Sequence, residues 1–335
     1  MGVRSDLKIM LTSWSAPAWM KVNGASDLNG FNNGTLKPGY EAVYAEYLAQ
    51  TIKAWNGQSV PIWAITIQNE PSFAASYPSM TMNATQQNKV GGILKQRLRA
   101  LKLTVPLVLS NDDNFDQWQS AVTSITTNAT NIDGSGFHSY GGDPSMLANF
   151  TSGLSAAGVT NKQIHYTEGS AYNASGSLQD AIAWWTNNIY LNVTMYGTRS
   201  LTTWNMILDS NSGPHLQAAY CTNCQGSTTY NGGVSIGYNA IYYAQNHFGA
   251  VVASTSSVSG GGPAVRVTAT PSTNSNGCIV ARAYAAPYSS SRKRVGVHMT
   301  NSCSVTAPIT ITAGKTTKSY TMGPGLHSVV FLASV

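Results

Sequence analysis

Apolar and polar positions follow two different grammars along this chain. Up to about residue 207, short apolar runs alternate with longer stretches of helical period. LKIMLTS (7–13), PIWAITIQ (61–68), VPLVLS (105–110), IDGSGFHSY (132–140), QIHYT (163–167) and SLTTWNMI (200–207) read as strands. Most of them are apolar on both faces, as in a parallel sheet covered by helices. Helical spacing predicts helices from Tyr40 to Trp55, Gln86 to Leu101, Phe115 to Thr127, Ser145 to Ala156 and Leu178 to Leu191. Strands alternating with helices make parallel βαβ units. A short helix over 238–248 closes this region. Beyond it PAVRVTAT, CIVARAYA, KRVGVHMT, APITITA, KSYTM and HSVVFLAS alternate with period two between Gly, Pro, Ser and Asn. These predict an antiparallel β-sandwich. The chain thus divides into an α/β barrel domain, residues 1–248, and a β-sandwich domain, residues 249–335. SVSGGGP (257–263) reads as a turn between strands, since it neither follows a parallel strand nor opens a helix as a phosphate loop does.

Composition sharpens the reading. Only 10% of residues are charged, and four are glutamates. Glu41 and Glu46 fall in the 40–55 helix, beside the stripe of Tyr40, Val43, Tyr44, Tyr47, Leu48, Ile52 and Trp55, and read as surface charges. Glu70 and Glu168 are different. Each follows an apolar strand directly, in VPIWAITIQNEP and KQIHYTEGS. In a parallel barrel the working residues sit at the C-terminal ends of strands. Collected there are Trp14, Asn69 and Glu70, Asn111 and Asp112, His138 and Tyr140, Glu168, and Trp204 and Asn205. Two carboxylates among indoles and amides describe a sugar site. One carboxyl protonates the leaving oxygen, the other attacks or activates water, while indole faces stack on pyranose rings. Asp112 and Asp113 read as a polar loop, and His138 is open between a structural hydrogen-bonding role and substrate contact. Trp19, Trp63, Trp118, Trp184 and Trp185 are assigned to the core.

Other function classes recede. The net charge of +6 is spread out, which argues against nucleic acid. No apolar run reaches the length of a membrane span. CTNC (221–224) lacks the further ligands of a zinc site, so neither metal nor other cofactor is expected. Six Asn-x-Ser/Thr sequons, at Asn33, Asn83, Asn128, Asn149, Asn173 and Asn192, and four cysteines suit a secreted, disulfide-bonded glycoprotein. Three connectivities are open, with Cys221–Cys224 and Cys278–Cys303 the favoured pairing. Composition leaves the oligomeric state open. The absence of Gly-x-Ser-x-Gly disfavours an esterase.

WAITIQNEP, with Asn directly before Glu, together with KIMLTSWSAPAWMK, HYTEGS, TTWNMILD and GPHLQAAYCTNCQG in this order, resembles glycoside hydrolase family 30, the family of glucosylceramidases and microbial β-1,6-glucanases. The resemblance implies a (β/α)8 TIM-type barrel with a β-sandwich, and a retaining β-glycosidase acting on a carbohydrate or glycolipid. It makes Glu70 the general acid/base and Glu168 the nucleophile. It assigns Asn69 to the sugar 2-hydroxyl, Tyr140 to the Glu168 carboxylate, and Trp14 and Trp204 to the glucose subsite with Asn205 beside them. One departure stands out. Six barrel units are counted where the family has eight, so the first two βα units, with the family's early glucose-binding Arg and Asp, have no counterpart here. MGVRSDLKIM also lacks an apolar leader core. The expectation is a chain truncated at its N-terminus. The rival to an enzyme is a catalytically inactive fragment or carbohydrate-binding pseudo-enzyme.

Overall fold

Six strands pair in chain order into one parallel sheet in the computed structural model: β1 (Ile9–Thr12), β2 (Ile62–Thr66), β3 (Leu107–Asn114), β4 (Gly134–His138), β5 (Gln163–Glu168) and β6 (Thr198–Leu201). The structure describes residues 7–172, 176–211, 213, 224–233, 235–256, 265–267 and 277–334. The sheet is a half-barrel: β1 and β6 are its edges. Each of the first four strands is followed by a helix, α1 (Glu41–Gly57), α2 (Ala84–Ala100), α3 (Trp118–Thr126) and α4 (Met146–Ala156). Consecutive helices pack on one another and bury Tyr44, Leu48, Ile52, Val90, Leu94, Ile125 and Phe150 against the sheet. Asn83 starts α2 by accepting the Gln86 amide hydrogen at 2.8 Å.

Chain contacts divide the protein into two units, Met1–Gly169 with Thr198–Thr202, and Ser170–Gly197 with Thr203–Val335. The first holds the parallel sheet. In the second, α5 (Leu178–Trp185) begins at a capping box between Ser177 and Asp180 and runs on as a π-helical turn, Thr186–Leu191. Later comes α6 (Ala240–Ser256). Four antiparallel strands, Val265–Val267, Ile279–Ser289, Arg292–Asn301 and Gly325–Ser334, face a hairpin of Ala307–Ala313 with Thr316–Met322. Val295, Val297, Met299, Met322, Ile309, Ile311 and Phe331 fill the space between. That is the two-sheet packing expected of a sandwich. Cys278 and Cys303 are disulfide-bonded. Cys221, Asn173, the glycine-rich stretch 257–263 and most of GPHLQAAYCTNCQG lie outside the described residues.

Several sequence expectations are corrected. The run 200–207 is not one strand. It ends at Leu201, and Ile207–Asp209 joins a separate three-stranded sheet. Trp19 and Trp184 are 57% and 51% exposed rather than core, whereas Trp185 is buried. Glu41 is buried and accepts from Lys89 at 3.1 Å, because α2 packs over the start of α1. The buried face of α1 runs through the small residues Ala45 and Ala49, and Val43, Tyr47 and Trp55 point outward. Asp112 and Asp113 are not a polar loop: both are buried at the C-terminal end of β3.

Candidate active site

The C-terminal ends of β2 to β5 build the site. After β2 the chain turns sharply at Glu70, whose φ is +43°, and two residues of β3, Asn111 (+66°) and Asp112 (+56°), share the left-handed region. Non-glycine residues hold such angles only where their surroundings over-determine them. Here the two turns fix each other, for the Glu70 amide donates to the Asp112 carbonyl at 2.9 Å. The Asn111 amide is held by Gln87 Oε1 of α2 at 2.8 Å. A break in the β3–β4 register between Asn111 and Asp113 accompanies them. Upstream, the Asn69 amide donates to the Ser13 carbonyl and Gln68 Nε2 to the Trp14 carbonyl, both at 2.8 Å. The backbone carrying Trp14 is thereby tied to the strand end carrying Glu70.

One carboxyl oxygen each of Glu70 and Glu168 and a ring nitrogen of His138 all lie within 4.8 Å of one another. His138 is buried, with Nδ1 3.3 Å from Glu70 Oε1 and Nε2 3.2 Å from Asp112 Oδ1. Asp112 also accepts from Thr66 Oγ1 at 2.6 Å. Tyr77 donates to Glu70 Oε2 at 3.3 Å, and Tyr140 to Glu168 Oε1 at 2.8 Å. Ser72 donates its amide and hydroxyl hydrogens to Asp113 Oδ2, at 3.0 and 2.6 Å, and so fixes the turn after Glu70. Close packing is needed behind this network. A side chain on Gly136 of β4 would place its Cβ 2.7 Å from Asp112 Oδ1.

The charges are unequal in setting. Burial pushes the Glu168 carboxyl up to about 6, with Glu70 and Asp112 adding to the rise and His138 and Tyr140 opposing it. Burial opposes a charge on His138 too, but its hydrogen bonds to Asp112 and Glu70 outweigh that and hold it well above the ordinary imidazole value. Asp112, despite its burial, is held below the ordinary carboxyl value by His138, Thr167 and Thr66. Held well above the ordinary imidazole value, His138 carries hydrogen on both ring nitrogens and donates to Asp112 and to Glu70. Such a ring has no lone pair for a metal ion. Glu70, His138 and Glu168 have the reach of a metal site, but their hydrogen bonding is that of an ion network.

Of the predicted site residues, the structure brings Glu70, Glu168, His138 and Tyr140 together directly, with Asn69 and Trp14 on the adjoining backbone. Asn69 is buried, and its Oδ1 has no partner among the described residues. Trp14 is partly exposed. Trp204 and Asn205 lie in the second unit, where the Asn205 carbonyl accepts from the Ser227 amide at 2.7 Å. Sequence reasoning missed Tyr77, Thr66 and the depth of Asp112. For Asp112 there was a signal, its place directly after the apolar run VPLVLS, but the surrounding NDDN masked it.

A sequence model of the glycosyl hydrolase family 30 TIM-barrel domain matches residues 2–251. Two fungal proteins are similar over most of this chain. An endo-1,6-beta-D-glucanase of Trichoderma harzianum is 28% identical over 259 residues, 74% of this chain and 50% of that protein. Another from Aspergillus fumigatus is 28% identical over 267 residues, 73% of this chain and 51% of that protein. The chain therefore spans about half the length of the curated relatives it matches. Among solved structures, an endo-beta1,6-glucanase superposes with a TM-score of 0.81 at 21% identity, over 98% of this chain and 72% of the other. A matching domain, a half-barrel with sandwich and two strand-end glutamates converge on one assignment: this chain belongs to glycosyl hydrolase family 30.

Proposed function

We propose that the chain carries the apparatus of a retaining β-glycosidase acting on β-1,6-linked glucan. The observation that supports it most is the approach of one carboxyl oxygen of Glu70 to one of Glu168 within 4.8 Å. Retaining pairs stand roughly 5–5.5 Å apart and inverting pairs about 6.5–9.5 Å, the extra room being for water. In this reading Glu168 attacks the anomeric carbon while Glu70 gives its proton to the leaving oxygen, forming a glycosyl ester and a free alcohol. Glu70, now a carboxylate, takes a proton from water, whose oxygen displaces Glu168 and frees the sugar. The buried Asn69 Oδ1, without a partner among the described residues, offers an acceptor to a sugar hydroxyl beside Glu70. Trp14 lines the sugar subsite in this proposal, and Tyr140 stabilises the Glu168 carboxylate.

The similarity to fungal β-1,6-glucanases favours a glucan over a glycolipid. A sequence named for glucosylceramidase activity in Caenorhabditis elegans matches a shorter stretch, 29% identical over 147 residues and 40% of this chain. Secretion as a glycoprotein is part of the proposal, supported by exposed sequon residues Asn33, Asn83, Asn128 and Asn149 and by the disulfide. Among the described residues no helix is long and apolar enough to cross a membrane.

The test is trapping with a 2-fluoro β-glucoside followed by peptide mass spectrometry, together with turnover of β-1,6-glucan. Labelling at Glu168 and release of β-configured product are expected. A label on Glu70 reverses the roles, an α-configured product rules out retention, and glucan binding without turnover identifies a carbohydrate-binding protein instead.

A further inference from the structure

The reading above uses Glu70 and Glu168 and leaves Asp112 unused, although Asp112 is 1% exposed and sits one side chain behind the acid/base. Burying a carboxylate is costly unless it is paired. Three separate elements meet that cost here: Thr66 of β2 at 2.6 Å, Thr167 of β5, and His138 of β4 at 3.2 Å. Its left-handed backbone is held from β2 through the Glu70 amide. This much local support points to a role for the residue beyond filling space.

We propose that Asp112 is a positioning residue for the hydrolysis. It accepts the Nε2 hydrogen of His138, so the ring is a fixed double donor whose Nδ1 hydrogen occupies Oε1 of Glu70, and the transferable proton is carried on Oε2, whose second lone pair faces the Tyr77 hydroxyl. The inference rests on the glycosidase reading for its catalytic consequence. The charged and titratable groups facing His138 are Glu70 at the end of β2, Asp112 and Asp113 on β3, and Glu168 on β5, with the Tyr140 ring edge-on at 6.0 Å. All four of the acids favour a cation. Of them, Asp112 and Glu70 touch the ring, and Glu70 must alternate between protonated and ionised forms. Asp112 alone of these two has no such duty, so it is the constant partner.

The charge has a consequence for the attacking carboxylate. A cation beside the pair favours the ionised nucleophile, Glu168, and this effect is larger than the opposing repulsion from Asp112. Removing the Asp112 charge frees His138 to become neutral, and Glu168 then holds its proton to higher pH. An Asp112→Asn enzyme should therefore show the acidic limb of its pH–kcat/KM profile moved to higher pH. At the optimum of the native enzyme its rate on 4-nitrophenyl β-glucoside should fall about 10²-fold, the lower end of what positioned acid–base groups contribute. Asp112→Glu should restore the limb in part. A purely structural residue would lower the rate and leave the limb in place, and that outcome overturns the proposal.

The second measurement needs no Asp112 variant. In the native full chain labelled with 15N-histidine, the resonances lost in His138→Gln identify His138. Both ring nitrogens should be protonated from pH 5 to 8. A neutral tautomer, or titration inside that range, refutes the fixed double donor even if the variant fails to fold. A chain that hydrolyses no β-glycoside but shows the cation removes the catalytic role and the glycosidase reading together, while a neutral His138 in an active enzyme removes only this inference.

Discussion

Tyr140 hands its hydroxyl hydrogen to Oε1 of Glu168 at 2.8 Å, from a loop anchored by the Asn114 side chain. The bond is stronger to the ionised carboxylate than to the protonated acid, so it stabilises the charge that attack requires.

Replacing Tyr140 by Phe tests this through pH. Burial places Glu168 at about 6. The ionised form is the nucleophile, so kcat/KM falls as pH drops through that value, which sets the acidic limb of the profile. Loss of a hydrogen bond to the ionised form raises the value further. At a net worth of about 1 kcal/mol, the acidic limb should move up by somewhat under one pH unit. A limb that stays put or moves down would show that the hydroxyl does not support the charged carboxyl.

Glu70→Gln should discriminate between leaving groups. The amide cannot protonate an alkoxide, so turnover of a glucan should fall by about 10²–10⁴-fold. The first step with an activated aryl glucoside, whose phenolate leaves unaided, should be far less affected. Added azide should restore the second step by attacking the ester without a base. Equal losses on both substrate types would remove Glu70 from the acid role.

The two glutamates were legible because the chain is so poor in acid and because each follows an apolar strand. Their mutual approach was expected from the motifs, but not how it is made: the strained turn at Glu70 is held by the Asp112 carbonyl. Asp112 was hidden for the opposite reason. A run of Asn and Asp looks like solvated loop, and only the walls supplied by Thr66, Thr167 and His138 turn it into a buried ion site. The helix α1 shows a similar limit. Its large apolar residues suggested the buried face, but Ala45 and Ala49 let the backbone come close and the true face rotates toward them. Strand ends were misjudged where β6 stops at Leu201, because the apolar run continues into residues that serve a different sheet.

Lys21 gives a prediction about stability rather than chemistry. It is fully buried, and its ammonium donates to the carbonyls of Leu28, Asn29 and Ser79 at 2.5, 2.7 and 2.7 Å. The first two carbonyls belong to the β1–α1 connection, and the third to the β2–α2 connection that carries Tyr77. Burial lowers the lysine's proton affinity, yet a charge with three acceptors is well compensated. Lys21→Met keeps the length but leaves the Ser79 carbonyl without a donor among the described residues, while the Leu28 carbonyl keeps the Ser79 amide and the Asn29 carbonyl keeps Asn23 Nδ2, at a cost of about 1–3 kcal/mol. Thermal unfolding should begin several degrees lower, with protease cleavage appearing first in residues 21–36 or 71–82. An unchanged Tm would mean that water replaces the ammonium without loss.

Gly136 tests the packing on which the ion network depends. The residue lies in the middle of β4, where pairing with β3 and β5 fixes the backbone on both sides. An alanine Cβ there would sit 2.7 Å from Asp112 Oδ1, 2.9 Å from Thr167 Oγ1 and 3.1 Å from Asp112 Cα. Neither neighbour is the free end of a long side chain, so the strain cannot be relieved by a rotamer change alone. Overpacking of this kind costs roughly 1–3 kcal/mol, which a domain of this size survives. The functional loss should be larger. A displacement of Asp112 by a few tenths of an ångström passes to His138 and then to Glu70, and misplacement of about 1 Å can cost about 10²-fold in rate. Gly136→Ala should therefore remain folded by circular dichroism while kcat/KM falls at least tenfold. Gly158→Ala provides the control: its φ is +70° but its Cβ would meet nothing within 4 Å, so it strains the backbone without touching the network. If both variants lose stability alike and activity alike, the tight fit at Gly136 has no special bearing on catalysis.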